Sequence, residues 1–262
     1  MKKFTAIALA SALVLALGAC GGTAEAPAPA TEPVAEETET PAEPEEKPEE
    51  EAPAEEETPA DEGVMSYADY AAADLDTEVT VVTYVQAHQS WWDNKVTVYC
   101  QDKDGAIFLY ELACSEEDAE KLTEGTKIKV TGFKSEWSGE FEITDASFEF
   151  VDGDSFVAEA KDLTDKLGTD ELIDYQNQKV LFTDMTVVSV AFKNDEPGDD
   201  IYVTLSKDGA EYNFCLEYYL NGSDQEFYDL VSGLEAGQVV DVEGFLYWYE
   251  GANTHITKVT VK

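Results

Sequence analysis

Gly125–Ile143, GTKIKVTGFKSEWSGEFEI, decides the fold, because it returns as Gly237–Ile256, GQVVDVEGFLYWYEGANTHI. Laid over each other, the two stretches read G-x-x-[IV]-x-V-x-G-F, then a polar and aromatic tip, then an Ile-Thr strand start. Gly125 falls on Gly237, Ile128 on Val240, Val130 on Val242, Gly132 on Gly244 and Phe133 on Phe245. Trp137 falls on Tyr249 and Gly139 on Gly251; one extra residue in the second copy then brings Ile143 and Thr144 onto Ile256 and Thr257. The period of about 112 residues is too long for a solenoid unit and has the size of a small domain.

The same order of elements surrounds both copies. In the first half, alternation of β-branched and polar residues predicts strands over Thr77–Gln86, Lys95–Gln101, Ala106–Ala113, Lys127–Lys134 and Glu140–Phe150. A short helix over Val64–Leu75 precedes them. Another, over Ser115–Leu122, opens on a Ser cap with acids in its first turn. Asp102–Gly105 reads as a tight turn. Asp152–Gly168 reads as a junction. The second half repeats the pattern with strands over Lys179–Ala191, Ile201–Ser206, Ala210–Leu220, Gln238–Trp248 and Thr254–Val261, and a helix over Asp224–Gly233.

Five strands with a helix between the third and fourth is the order of the OB barrel, and each half resembles that fold over about residues 76–150 and 178–262. The expected fold class is all-β with short helices: two tandem five-stranded OB-like barrels, over residues 63–155 and 156–262. The chain as a whole resembles the OB-fold-containing lipoproteins of gut-dwelling, Firmicutes-like Gram-positive bacteria, a resemblance that brings no activity with it.

The first 62 residues are not expected to fold. Lys2 and Lys3, the apolar run Phe4–Leu17 and the small residues before Cys20 have the form of a secretory signal over residues 1–19. Leu17-Gly18-Ala19-Cys20 resembles the bacterial lipobox, which implies acylation of Cys20 and a protein anchored through that lipid to the outer face of the cell membrane. Residues 20–62 follow as a Glu-, Pro- and Ala-rich tether, too poor in aromatic and branched residues to bury a core.

The formal net charge is −41. The two lysines before Cys20, and the sixteen acids and single Lys47 of residues 21–62, leave −28 on residues 63–262. The chain contains no arginine. Nucleic acids are bound chiefly by neutralising phosphates with Lys and Arg, so this balance argues against a nucleic-acid partner. Cys100, Cys114 and Cys215 cannot all pair within one chain. With the turn at Asp102–Gly105, Cys100 faces Ile107 and Cys114 lies about 23 Å further along the strand, so buried free thiols are expected.

OB barrels take ligands across their second and third strands, between the loops that join strands one to two and four to five. Those loops hold Trp91, Trp92 and Trp137 in the first half and Tyr247, Trp248 and Tyr249 in the second. Two readings stay open for them: an aromatic platform for a ligand, or plugs folded back into the barrel ends. Asp195, Glu196, Asp199 and Asp200 sit close together in a loop but match no Ca²⁺-binding pattern. His88 and His255 have no nucleophile or orienting partner in view, and a surface or strand-end position is expected for both. No catalytic motif, cofactor or metal site is expected. The leading expectation is a non-enzymatic binder of a glycan, peptide or envelope protein through the aromatic loops. The alternative is an OB-fold nucleic-acid-binding protein.

Overall fold

The computed structural model describes residues 63–262, which fall in one compact unit. The signal segment, Cys20 and the tether lie outside the described residues. Helix α1 (Tyr67–Ala72) starts at Ser66, whose side chain accepts from the Asp69 N–H. Strand β1 (Glu78–His88) then turns Val79, Val81, Thr83 and Val85 inward. β2 (Lys95–Gln101) and β3 (Ala106–Ala113) form a hairpin. Asp102 closes it by accepting the N–H groups of Asp104 at 2.8 Å and Gly105 at 2.9 Å on one carboxylate oxygen. α2 (Glu116–Ala119), β4 (Lys127–Trp137) and β5 (Glu140–Phe150) complete the half. The strands close into a barrel in the order β1-β2-β3-β5-β4, with β3 and β5 parallel.

The second half repeats this ring. A two-residue strand, β6 (Lys161–Asp162), runs parallel to β7 (Lys179–Phe192). β7 pairs with β8 (Ile201–Lys207), and β8 with β9 (Ala210–Leu216). After α3 (Tyr218–Asn221) and α4 (Gln225–Ser232) come β10 (Val239–Phe245) and β11 (Asn253–Val261). β11 lies parallel to β9 and antiparallel to β10, and the β10–β7 pairing closes the ring. The two copies of the repeat therefore occupy the same two strands of each half. Their apolar positions, Ile128 and Val130 against Val240 and Val242, are all buried. Each such side chain contributes about 1.5–3 kcal/mol on leaving water.

The repeated glycine before Phe marks a shift in strand register. In the first half the β4–β5 register slips between Thr131 and Phe133; in the second the β10–β11 register slips between Glu243 and Gly244. At that point the partner strand crosses so closely that a Cβ on Gly132 would stand 2.6 Å from Ile143 Cγ2 and 2.8 Å from the Thr144 carbonyl oxygen. A Cβ on Gly244 would stand 2.3 Å from the His255 carbonyl oxygen. Only glycine lets the strand coil here, as the bend of a small barrel requires.

Some boundaries differ from the sequence reading. β4 continues to Trp137, where a loop from Ser135 is expected, and is paired there to Glu140. The predicted strand Ala210–Leu220 stops at Leu216, because Glu217 takes the N-cap position of α3 and accepts from the Leu220 N–H at 2.6 Å. β10 ends at Phe245, leaving Tyr247, Trp248 and Tyr249 in the connection to β11. Cys100, Cys114 and Cys215 are free and buried, and Cys100 pairs across to Ile107 as the turn position implies.

Gly132→Ala and Gly244→Ala should each destabilise the protein by about 1–3 kcal/mol, the usual cost of overpacking. Urea unfolding of each variant checks this; wild-type midpoints would show that the close crossing does not constrain the barrel.

Candidate functional site

The face formed by β2 and β3, where an OB barrel takes its ligand, is covered in the first half by the second at Tyr99 and Phe108. Tyr99 from β2 and Phe108 from β3 point out of the first barrel and are buried against Phe245, with Leu220 and Tyr247 alongside. The Tyr99 and Phe245 rings stack at 4.4 Å and 15°, and Phe108 meets Tyr247 at 5.4 Å. His255 lies under Tyr247 at 4.4 Å, and its Nδ1 shares a 2.5 Å hydrogen bond with the Tyr99 hydroxyl. Burial pushes the His255 imidazole down to about 3, so it is neutral at neutral pH. Of the surface or strand-end position expected for His255, the structure has the second: it lies near the start of β11 and is buried. His88 is half-buried, with Nδ1 2.7 Å from the Gln89 carbonyl.

The two tips of the repeat meet next to this cluster. Glu140, fully buried at the start of β5, accepts from the Asn177 amide at 2.5 Å and from the Trp248 N–H at 2.8 Å. The Gln176 side chain spans Gly139 and Phe141, donating to the Gly139 carbonyl at 2.8 Å and accepting from the Phe141 N–H at 2.9 Å. The Glu250 N–H donates to the Ser138 carbonyl at 2.8 Å. The Trp248 ring lies over Gly139, with Cδ1 2.8 Å from where a Cβ would stand. Burial raises Glu140 to about 8, against the pull of its two donors, and burial raises Glu142 to about 7. In the second half, burial raises Glu217 to about 7, with Asp200 adding to the effect.

The six loop aromatics split into two groups. Trp91 folds back onto the first core and donates its indole N–H to the Cys114 carbonyl at 2.8 Å. Tyr247 is committed to the contact between the halves, and Trp248 packs on the second core. Trp92 at 69% exposure, Trp137 at 53% and Tyr249 at 46% remain open, and Trp137 and Tyr249 touch at 5.1 Å between ring centroids.

Tyr249 borders a groove of about 420 Å³ on the β8–β9 face of the second barrel, with Tyr202, Thr204, Asn213 and Asn253. A second groove, of about 330 Å³, lies on the first barrel between Trp92, Thr97, Tyr110 and Tyr219, beside the 2.7 Å Lys95–Glu111 ion pair. Sequence reasoning passed over Tyr202, Tyr110 and Tyr219. Outward positions of the second and third strands would have found Tyr202 and Tyr110; Tyr219 sits on α3, in a stretch read as strand. In the acidic loop, Asp199 and Asp200 hold Lys193 at 3.3 and 2.9 Å, and Asp200 also accepts from the Tyr218 N–H at 2.9 Å. That loop is tied into the barrel by its own lysine.

No family model matches the chain, and no curated protein matches it. Among solved structures it is similar to a murine DNA-binding protein bound to double-stranded DNA, at 10% identity over 70% of this chain and 96% of that one, with a TM-score of 0.37. It is also similar to the Ifi202 HINa domain in complex with 20-base-pair double-stranded DNA, at 12% identity over 72% and 96%, TM-score 0.32. A third is a replication protein A heterotrimer bound to single-stranded DNA, at 14% identity over 71% and 49%, TM-score 0.29. Two expectations are corrected against these descriptions, which name DNA: the glycan, peptide or envelope-protein partner, and nucleic acid as disfavoured; the likeness itself shows the fold. The geometry adds a physical reason for the first correction: half of the aromatic platform it relied on is spent inside the fold. As for the second, net charge sets how a ligand responds to salt and leaves the stacking surface in place.

Trp248→Ala should cost about 3 kcal/mol or more, whereas the exposed Trp137→Ala should stay within about 1 kcal/mol of wild type. Thermal and urea unfolding separate the two; equal losses would contradict the division into inward and open aromatics.

Proposed function

We propose that this chain is a non-enzymatic OB-fold protein that takes single-stranded nucleic acid by stacking bases on the open face of its second half. The observation that carries the reading is the contrast between the two β-barrel faces. The β2–β3 face is filled by protein at Tyr99 and Phe108, which leaves the smaller groove at Thr97 and Tyr110. The β8–β9 face is open and carries Tyr202 and Tyr249, with Trp137 from the first half against Tyr249. Exposed rings bind bases at about 1–3 kcal/mol each without reading sequence. Thr204, Asn213 and Asn253 supply hydroxyl and amide groups beside them. Tandem domains over 63–155 and 156–262, and anchoring at Cys20 outside the membrane of a Gram-positive bacterium, are parts of the same proposal. They rest on the repeat and on Leu17-Gly18-Ala19-Cys20.

The charge of residues 63–262 gives this reading a distinctive signature. A basic protein gains from counterion release and loses affinity as salt rises. Here the phosphates approach a surface of like sign, and added salt screens that repulsion, with a Debye length of about 10 Å at 0.1 M. Affinity should therefore hold or rise between low and moderate salt.

Fluorescence anisotropy with a labelled single-stranded oligonucleotide tests the proposal. Binding is expected, with Trp137→Ala and Tyr249→Ala each weakening it by about 5-fold or more, in line with the loss of one stacking contact. No binding at up to about 100 μM protein, the weak end of non-specific affinities, would overturn it.

A further inference from the structure

Glu140 is a carboxyl buried between the two halves whose hydrogen-bond partners both come from the second: the Asn177 amide and the Trp248 N–H. The ionisable groups around it offer little to an anion. Glu142 stands on the same strand, and Tyr70 of α1, Tyr99 of β2 and Tyr247 of the β10–β11 connection all lie within its field. Lys134 of β4, 5.2 Å from the centre of the Phe141 ring, is already held by the carbonyls of Tyr70, Ala71 and Ala73 at 3.1, 2.7 and 2.9 Å. Asn177 Oδ1 is buried and has no donor. A neutral Glu140 leaves no charge in this dry contact, and with the Asn177 amide turned over, its O–H meets Asn177 Oδ1 in place of the Nδ2 that now donates to it.

We propose that Glu140 is a proton-controlled latch between the two halves. Neutral, it holds the second barrel on the β2–β3 face of the first; ionised, it loosens that contact and uncovers Tyr99 and Phe108. The second half thus acts as a built-in occupant of the first barrel's ligand face, and proton loss from one carboxyl weakens its seat. This inference does not depend on the nucleic-acid reading, because it concerns the covered face and not the open one.

The sign follows from linkage. Burial raises the folded-state Glu140 from 4.5 to about 8. Its contribution is fully present below 4.5 and is lost as pH rises through about 8. Glu142, raised to about 7 at the same contact, adds to the loss in the same direction.

The test is urea unfolding of the full chain, followed by near-ultraviolet circular dichroism at about pH 6 and about pH 9. Wild type should unfold in one transition at the lower pH and in two at the higher, as the halves uncouple. Glu140→Gln keeps the shape and cannot ionise, so it should retain one transition at both. A wild type with one transition at both values, or a Glu140→Gln variant with the wild-type pH response, would overturn the proposal. If Glu140→Gln does not fold, the wild-type near-ultraviolet signal without urea decides: a step centred near pH 8 supports the latch, and a flat signal between those limits sinks it.

Discussion

The stacking of Tyr99 on Phe245 at 4.4 Å is the contact on which the arrangement of this molecule turns. It joins the outer face of one barrel to the end of the fourth strand of the other. Around it Phe108 and His255 are excluded from water, Tyr247 packs half-buried against them, and the Tyr99 hydroxyl finds its partner on the imidazole. Aromatic pairs in such a setting contribute about 0.5–1.5 kcal/mol beyond the area they bury. The polar groups beside them, Glu140, Gln176 and Asn177, then fix the register of the two tips. Two repeats that could each have closed as a separate small barrel are held as one body.

That contact also decides what surface is left for a ligand. It covers Tyr99 and Phe108 on the β2–β3 face of the first barrel and draws Tyr247 and Trp248 inward. It leaves Trp137 and Tyr249 side by side at the edge of the β8–β9 groove, one ring from each copy of the repeat. The groove is lined by the second half alone, and the tip of the first barrel reaches it only through the contact of Trp137 with Tyr249.

Local patterns carried most of the fold. β2, β3 and β5 begin and end where alternation and turn residues place them, and the repeat correctly marks the fourth and fifth strands of each half. The site was much less legible. Phe133 and Phe245 hold the same place in the repeat, yet the first is 41% exposed and the second 1%. No periodicity distinguishes them, because the difference comes from a neighbour more than a hundred residues away in the chain. The same holds for the loop tryptophans: adjacent Trp91 and Trp92 have one composition and opposite fates, set by whether a carbonyl such as that of Cys114 lies within reach of the indole.

The most direct test of this account is a double-mutant cycle on Tyr99→Ala and Phe245→Ala, read by urea unfolding. If the stacked pair joins the halves, the two losses should fall short of additivity by about 1 kcal/mol or more, since removing either ring already forfeits the contact. Losses that add within about 0.3–0.5 kcal/mol would mean that the rings do not depend on each other, and that the second barrel does not sit on the face of the first.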